Sequence, residues 1–244
     1  MITLRRAHER EHDGRRRQEV WLTFPLALAD PLNGGFGALE SLNEDRLAPG
    51  ASVPRHSHRD AEIVTYAREG ALAYEDSMGR SGVIHAGEFH RMTARRGIRH
   101  IETNASRIDR AHIYQIGLRS WQAGLEPSYE QKRFSAAERR DGLCVVASPD
   151  ARRGSLRIHQ DALVYSAMLD PGQHVVHELS PRRRAWLHLV QGEVVLGDIV
   201  LTTGDGVGFT AERAVSLTAQ EETEILLIDL GVELPGSSND RRVL

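Results

Sequence analysis

Two short pairs of residues in this chain have the types and the spacing of metal ligands. They are His56-x-His58 and His100-x-Glu102. Side chains two residues apart on a β-strand point to the same face of a sheet, so each pair presents its groups in one direction. If the two strands are neighbours, three imidazoles and one carboxylate converge. This donor set suits a divalent transition metal with coordination positions left open for a substrate, and it predicts a metalloenzyme.

Two simpler interpretations of these residues stay open at this point. The histidines and the carboxylate could be satisfied polar groups on a hydrophilic strand face. Alternatively, a metal bound by four protein ligands could only stabilise the fold, because closed tetrahedral sites are usually structural. The identity of the metal and its coordination number decide between the second interpretation and an enzyme.

Length, charge and cysteine content limit the classes of protein to which this chain can belong. The chain has 244 residues, of which 40% are hydrophobic, and a formal net charge of -3, so it can bury a core and has no global attraction to nucleic acid. Its single cysteine, Cys144, excludes an internal disulfide framework. Residues 1–17 are polar, and no apolar stretch reaches the roughly 18 residues of a membrane helix. We therefore expect a soluble, cytoplasmic protein without a membrane or direct nucleic-acid partner.

Short apolar runs separated by turn residues indicate an all-β fold. Runs rich in β-branched and apolar residues occupy 62–66, 113–116, 186–190 and 225–228. Many short strands at this spacing are typical of a β-sandwich or barrel. A short helix is predicted near 135–140, where Ser135 would cap the first turn and Glu138 would complete a capping box.

An internal repeat divides the chain into two halves. Residues 62–76 resemble residues 184–198, since each segment reads as a strand, a glycine and another strand. Two copies of one β-unit, joined through the polar stretch 124–137, explain this pattern. We assign an N-terminal, metal-binding domain to residues 1–124 and a C-terminal domain that lacks the ligands to residues 125–244.

The repeat also provides an internal control for the metal site. The positions that match the four ligands in the second copy are Glu178, Ser180, Leu217 and Ala219. The first two matches rest on a loose alignment. Although His174 and His177 lie near them, no further ligands follow, so we expect no second metal site. Any chemistry therefore belongs to the first copy.

The motifs around these residues resemble a known family. Residues 50–62 read Gly-x5-His-x-His-x3-Glu, which looks like the first cupin motif, and Ala86-Gly87 followed by His-x3-Asn at 100–104 looks like the second. Over almost its whole length the chain resembles the pirin family of bicupins. Further stretches that carry this resemblance are 35–37, 43–45, 58–66, 76–79, 97–106, 129–131 and 148–151.

The resemblance implies a fold and a metal. The fold is all-β, with two tandem cupin (jelly-roll) barrels and a few short helices. One divalent transition metal is expected in the N-terminal barrel, bound by the residues matching His56, His58, His100 and Glu102. Iron(II) is the expected ion, with zinc, nickel, copper, cobalt and manganese as alternatives. Two barrels packed within one chain would cover the surfaces that single cupins use to dimerise, so we expect a monomer.

The resemblance also implies an activity and an alternative to it. Bacterial members act as quercetin 2,3-dioxygenases, which open a flavonol with O₂ and release carbon monoxide. Glu102 would then be the catalytic base for this small aromatic substrate, while Asn104 and Glu62 would orient the imidazoles. The eukaryotic member is a nuclear co-regulator, so the alternative is a non-enzymatic metal-binding regulatory protein that acts through a protein partner. Another oxygenase or an isomerase is a third interpretation.

The chain departs from the family pattern beside the expected metal. Arg95 and Arg96 stand in a turn that is usually built of small residues. Ile101 stands between two ligands where serine is common, and His90 replaces a usually uncharged residue. The arginines are expected to narrow the pocket or to favour an anionic ligand. Open access to the metal would favour the enzyme, whereas crowding by these arginines would favour the regulatory protein.

Overall fold

Strands dominate the structure, a computed structural model that describes residues 1–15, 17–27, 29–58, 60–94, 98–121, 124–140 and 142–232, except for the side chains of residues 15 and 54–58. The first strands are β1 (Ile2–Arg5), β2 (Glu11–Arg15), β3 (Gln18–Leu22), β4 (Leu39–Leu47), β5 (Ser52–His58), β6 (Ala61–Glu69), β7 (Ala71–Asp76), β8 (Ser81–His85), β9 (Glu88–Ala94), β10 (Ile98–Asn104), β11 (Ala111–Arg119) and β12 (Ser128–Arg133). They are followed by β13 (Cys144–Ser148), β14 (Leu156–Arg157), β15 (Ala162–Leu169), β16 (His174–Glu178), β17 (Arg184–Gln191), β18 (Glu193–Leu196), β19 (Ile199–Thr202), β20 (Gly206–Thr210), β21 (Ala214–Ala219) and β22 (Thr223–Leu230).

Helical structure is limited to short segments. The α-helix α1 spans Ala136–Arg140, and 3₁₀ turns span Ala7–Glu9 and Arg152–Gly154. Within the described chain, no helix has the length and apolar character needed to cross a membrane.

The strands form a larger and a smaller sheet in each half of the molecule. In the N-terminal unit the larger sheet has the order β12-β9-β6-β11-β4-β3-β2 and the smaller sheet the order β5-β10-β7-β8. In the C-terminal unit the orders are β1-β20-β17-β22-β15-β13-β14 and β16-β21-β18-β19. The two units therefore repeat one strand plan, which confirms the predicted all-β fold and its internal repeat.

Two strands cross between the units at equivalent sheet edges. Strand β1 pairs with β20 of the C-terminal unit, where Ile2 lies opposite Phe209. Strand β12 pairs with β9 of the N-terminal unit, where Ser128 lies opposite Thr93. The domain division at residue 124 stays a prediction. Residues 2–5 precede that boundary but join the larger sheet of the C-terminal unit, and residues 128–133 follow it but join the larger sheet of the N-terminal unit.

A glycine between consecutive strands marks the repeat in both units. Gly70 follows β6 with φ +72°, and a Cβ atom there would lie 2.5 Å from the carbonyl oxygen of Arg110. Gly192 follows β17 with φ +95°, and a Cβ atom there would lie 2.6 Å from the carbonyl oxygen of Glu222. Only glycine satisfies both the backbone angle and the close approach, so the same residue recurs in both copies.

The larger sheets of the two units pack against each other through a shared apolar core. The cluster contains Tyr66 and Phe89 from the N-terminal unit together with Trp186 and Ile228 from the C-terminal unit. The rings of Tyr66 and Phe89 stack with their centroids 4.3 Å apart. Burial of these large side chains holds the units together as one body.

The helix α1 begins with the predicted capping box and adds a polar link between the units. The backbone N–H of Glu138 donates to the Ser135 hydroxyl at 3.2 Å, and the Ser135 N–H donates to the Glu138 carboxylate at 2.7 Å. The buried Arg139 then donates to Glu224 of β22 at 2.9 Å and to the Tyr66 hydroxyl of β6 at 2.8 Å. The helix thus fixes the larger sheets relative to one another.

Candidate metal centre

The strands that carry the two predicted ligand pairs are neighbours. Strand β10 lies between β5 and β7 in the smaller N-terminal sheet. The backbone register places His100 opposite His56 and Ile98 opposite His58. Directly opposed positions of an antiparallel ladder share one face of the sheet. The register therefore has the geometry that the metal prediction requires.

Strand β10 turns its own ligand pair towards the barrel interior. His100 and Glu102 are each 5% exposed, whereas Arg99, the residue before His100 on the same strand, is exposed to solvent. The ladder with β5 shifts register between His100 and Glu102, so that Glu102 lies opposite Val53. Such a bulge bends a strand and re-aims the side chain that follows it.

The complete ligand set stays a prediction. The side chains of His56 and His58 lie outside the described residues. Among the side chains that are described, no three histidine, cysteine or carboxylate groups come together as a metal site. The structure therefore supplies the interior positions of His100 and Glu102 and the backbone register of the other pair.

A narrow cavity lies beside His100 and Glu102. Among the described residues, its other walls are Ile63, Thr65, Tyr74, Asp76, Ile84, His90, Met92 and Tyr129. These residues come from both sheets of the N-terminal unit, and most are aliphatic or aromatic. Apolar and aromatic walls with a few polar groups are typical of small-molecule sites.

The carboxylate of Glu102 is held by a neutral neighbour. Gln115 of β11 donates its Nε2 amide to Oε1 at 2.8 Å and to Oε2 at 2.9 Å. Burial raises the pKa of Glu102 to about 7, with the hydrogen bond from Gln115 acting against the rise and the charge of Asp45 adding to it. The side chain is therefore a carboxylate in an environment that disfavours its charge.

A divalent cation would resolve this unfavourable burial. Among the described residues, the hydrogen bonds to the Glu102 carboxylate come from the neutral amide of Gln115, and the nearby charge of Asp45 is also negative. Buried charges in proteins are normally paired or coordinate a metal. A metal ligated by His100 and Glu102 would neutralise the carboxylate, so the donor chemistry of this site fits a divalent transition metal.

Gln115 is a site residue that the sequence motifs do not reveal. The two residues predicted to orient the imidazoles, Glu62 and Asn104, make other contacts. Glu62 accepts a hydrogen bond from Thr93 at 3.1 Å and contacts His159 Nδ1 at 3.2 Å. The Asn104 amide donates to the carbonyl oxygens at the end of β4 and of Asp109. Asn104 therefore stabilises a loop. The predicted role of both residues in orienting the imidazoles stays untested.

The unusual residues near the site fall into two groups. Ile101 lies on the opposite face of β10 from the ligands and borders a separate surface groove with Ala73, Glu75 and Val83. It therefore does not narrow the cavity. Arg95 and Arg96 lie outside the described residues, so their expected effect on the pocket stays a prediction.

The C-terminal barrel has apolar residues where the N-terminal barrel has ligands. Leu217 and Ala219 on β21 are 2% and 0% exposed and belong to the apolar core of that barrel. The ladder between β16 and β21 places Val175 opposite Leu217 and His177 opposite Val215. This register corrects the loose match to Glu178 and Ser180, because Val175 and His177 are the counterparts of the first ligand pair.

Both histidines of β16 have protein partners. His177 Nε2 lies 2.8 Å from the Asp229 carboxylate, and His174 Nδ1 lies 2.9 Å from the Thr218 hydroxyl. Asp229 also accepts a hydrogen bond from Arg183 at 2.6 Å. Ordinary polar contacts therefore account for these two histidines.

Two models of known families match separate parts of the chain. The family model described as Pirin matches residues 7–118, and the model described as Quercetinase C-terminal cupin domain matches residues 145–230. The chain belongs to the pirin family. The predicted fold of two tandem cupin barrels is confirmed by this match and by the solved structures of relatives.

Individual relatives cover nearly the whole chain. A quercetin 2,3-dioxygenase from Escherichia coli strain K12 is 41% identical over 231 residues, which is 94% of this chain and 99% of that protein. The crystal structure of YhhW from Escherichia coli aligns with a TM-score of 0.89 at 40% identity, covering 96% of this chain and 99% of that one. The structure of the bacterial pirin YhhW in complex with nickel(II) aligns with a TM-score of 0.88 at 40% identity, covering 96% of this chain and 100% of that one. These relatives support the expectation of an enzyme that depends on a divalent metal.

Proposed function

We propose that this chain is a metal-dependent dioxygenase that opens the ring of a flavonol with O₂, in the manner of a quercetin 2,3-dioxygenase. The observation that carries the proposal is the buried carboxylate of Glu102, which lies beside His100 in an aromatic-walled cavity. The substrate class is supported by the 41% identity to a quercetin 2,3-dioxygenase.

One divalent transition metal, held by His56, His58, His100 and Glu102, completes the proposed site. Iron(II) is the first candidate, and nickel(II) is the second because a relative was solved with that ion. When bound, the metal supplies Lewis acidity and an open coordination position at the cavity.

The residues of the chain perform the remaining tasks. The flavonol 3-hydroxyl loses its proton to a carboxylate oxygen of Glu102, whose two oxygens are oriented by Gln115. The buried Ile63 and Met92 keep water away from the deprotonated ring. Both atoms of O₂ then enter the ring-opened product, and one ring carbon leaves as carbon monoxide.

The test compares wild-type protein with the variants Glu102→Gln, His100→Ala and His174→Ala, each loaded in turn with iron(II) and nickel(II). Wild-type protein incubated with quercetin and O₂ is expected to lose the flavonol absorbance, consume one O₂ per flavonol and release carbon monoxide. Glu102→Gln should lower the rate by about 100-fold or more, because the base is removed. His174→Ala, which changes an exposed histidine of the C-terminal barrel, should leave the rate unchanged.

Metal content, measured by elemental analysis of the same samples, separates the outcomes. Wild-type protein that binds metal but leaves quercetin intact would exclude the flavonol dioxygenase and favour the regulatory alternative. Full activity in both Glu102→Gln and His100→Ala would show that the reaction does not use this site.

A further inference from the structure

His90 faces the same cavity as His100 and Glu102, but from the other wall. It lies on β9 of the larger N-terminal sheet, whereas the two ligands lie on β10 of the smaller sheet. Its ring packs against two aromatic side chains, with centroid distances of 4.7 Å to Tyr74 and 5.7 Å to Tyr129, and these two rings stack on each other with their centroids 6.1 Å apart. These rings hold the imidazole in a fixed position at the cavity wall.

The Nε2 atom of His90 is buried without a hydrogen-bond partner among the described residues. The side chain is 5% exposed, so bulk water does not replace the missing partner. Two polar side chains near the ring, Tyr129 and Arg91, already have other partners. The Tyr129 hydroxyl donates to Asp76, and Arg91 bonds to Thr93 at 2.7 Å and to Glu130 at 2.7 Å. An unpartnered polar atom of this kind is costly unless something in the cavity satisfies it.

The ring is uncharged at neutral pH. Burial, together with the positive charge of Arg91, lowers the pKa of His90 to about 4. A neutral imidazole has one N–H donor and one lone-pair acceptor. It is thus suited to a hydroxyl group, which can both donate and accept, and it does not require an anionic ligand.

We propose that Nε2 of His90 forms a hydrogen bond with a hydroxyl group of the substrate in this cavity, which makes His90 a specificity-determining residue. This inference rests on the proposed function, because the cavity is taken to hold a flavonol. The hydroxyl is one on the periphery of the flavonol, since the 3-hydroxyl is assigned to the metal and Glu102. A site built to bond a hydroxyl discriminates against analogues that lack it.

The test measures binding rather than turnover. Zinc(II)-loaded protein is titrated under nitrogen with quercetin and with flavonols that each lack one peripheral hydroxyl. His90→Phe keeps a flat ring against Tyr74 and Tyr129 but removes both nitrogens, and it should bind quercetin about tenfold more weakly. His90→Gln restores a polar group and should bind within about threefold of wild type.

The analogue series identifies the bonded hydroxyl. One analogue should bind wild type and His90→Phe with equal affinity, because the hydroxyl that His90 contacts is missing. In histidine-¹⁵N-labelled wild type, which has 12 histidines, the signal absent from His90→Phe should shift when quercetin is added. Metal content and thermal unfolding of each variant control for the fold.

The outcomes separate this inference from the proposed function. Wild type that binds quercetin while His90→Phe binds it equally well would overturn the role of His90 alone. If His90→Phe bound quercetin and every analogue more weakly by the same factor, the role of His90 would also be overturned, since a change in the shape of the cavity would then explain the loss of affinity. Wild type that binds no flavonol would overturn the proposed function and this inference together.

Discussion

The two barrels share a strand plan but differ in what fills them. The C-terminal barrel contains one continuous apolar cluster that includes Leu187 and Leu217. The N-terminal barrel contains separate apolar clusters, one around Ile113 and one around Met92, and a cavity with buried polar groups such as Glu102. Because the C-terminal barrel keeps this architecture with apolar packing, the fold does not need the polar interior of the N-terminal one.

This difference indicates that the polar interior has been kept for a task. Burial of Glu102 disfavours its charged form, and its hydrogen bond from Gln115 is neutral. A buried group that lowers the stability of the fold is expected at a functional site, because the reaction requires that group there. Moving a polar group into the C-terminal barrel, or removing polar groups from the N-terminal barrel one at a time, tests this interpretation.

The largest effect is expected from a carboxylate placed in the C-terminal barrel. Ala219 is the counterpart of Glu102 and is 0% exposed in the apolar cluster. Ala219→Glu would bury a charge without a partner, and should lower the free energy of unfolding by about 4 kcal/mol. Denaturant unfolding followed by circular dichroism measures the change.

The matched control changes the neighbouring residue. Gln220 is exposed, so Gln220→Glu should alter stability by no more than about 0.5 kcal/mol. If Ala219→Glu were as stable as this control, the C-terminal interior would accept a carboxylate as readily as the N-terminal one. The contrast between the barrels would then carry no functional meaning.

A smaller effect is expected from the residue behind the ligand. Gln115→Leu keeps the side-chain size but removes the amide that holds both oxygens of Glu102. Groups that orient a metal ligand typically contribute 10–100-fold to metal affinity, so we expect a loss of about that size. Competition with a chromophoric chelator measures it, and Gln131→Leu, at an exposed glutamine of β12, is the control. Unchanged affinity would show that Gln115 does not position the carboxylate.

Local patterns predicted much of this contrast from the sequence. The two-residue spacing of His100 and Glu102 places both on one strand face, since side chains alternate along a strand. The internal repeat predicted Leu217 and Ala219 as their counterparts, and both are buried in the apolar core. These predictions required only the order of residues within a strand and the similarity of the two copies, both of which the sequence reports directly.

Features that depend on loop lengths or distant pairing could not be predicted in the same way. The counterparts of His56 and His58 are Val175 and His177, because register is set by the ladder with β21 and not by the sequence count between the copies. The edge strand β1 is too short to indicate that its partner, β20, lies in the other unit.

Single polar residues on apolar strands were equally hard to interpret. Gln115 interrupts an apolar run of β11, and its contact with Glu102 becomes visible only when β10 and β11 face each other across the barrel. His90 departs from the family pattern in the sequence, but the burial of its unpartnered Nε2 depends on packing with Tyr74 and Tyr129 from other strands. Such residues have no motif, because their role comes from packing.

The smallest effect is expected from Ile101, which tests the strand face on which the comparison depends. Its side chain lies on the outer face of β10, away from the cavity. Ile101→Ser introduces the residue common in the family, and it should change metal affinity and quercetin turnover by no more than about twofold. Met92→Ser alters a wall of the cavity from β9 and should reduce turnover more strongly, because Met92 is 3% exposed. If Ile101→Ser changed turnover more than Met92→Ser did, β10 would present Ile101 to the substrate, and the assignment of His100 and Glu102 to the interior would be wrong.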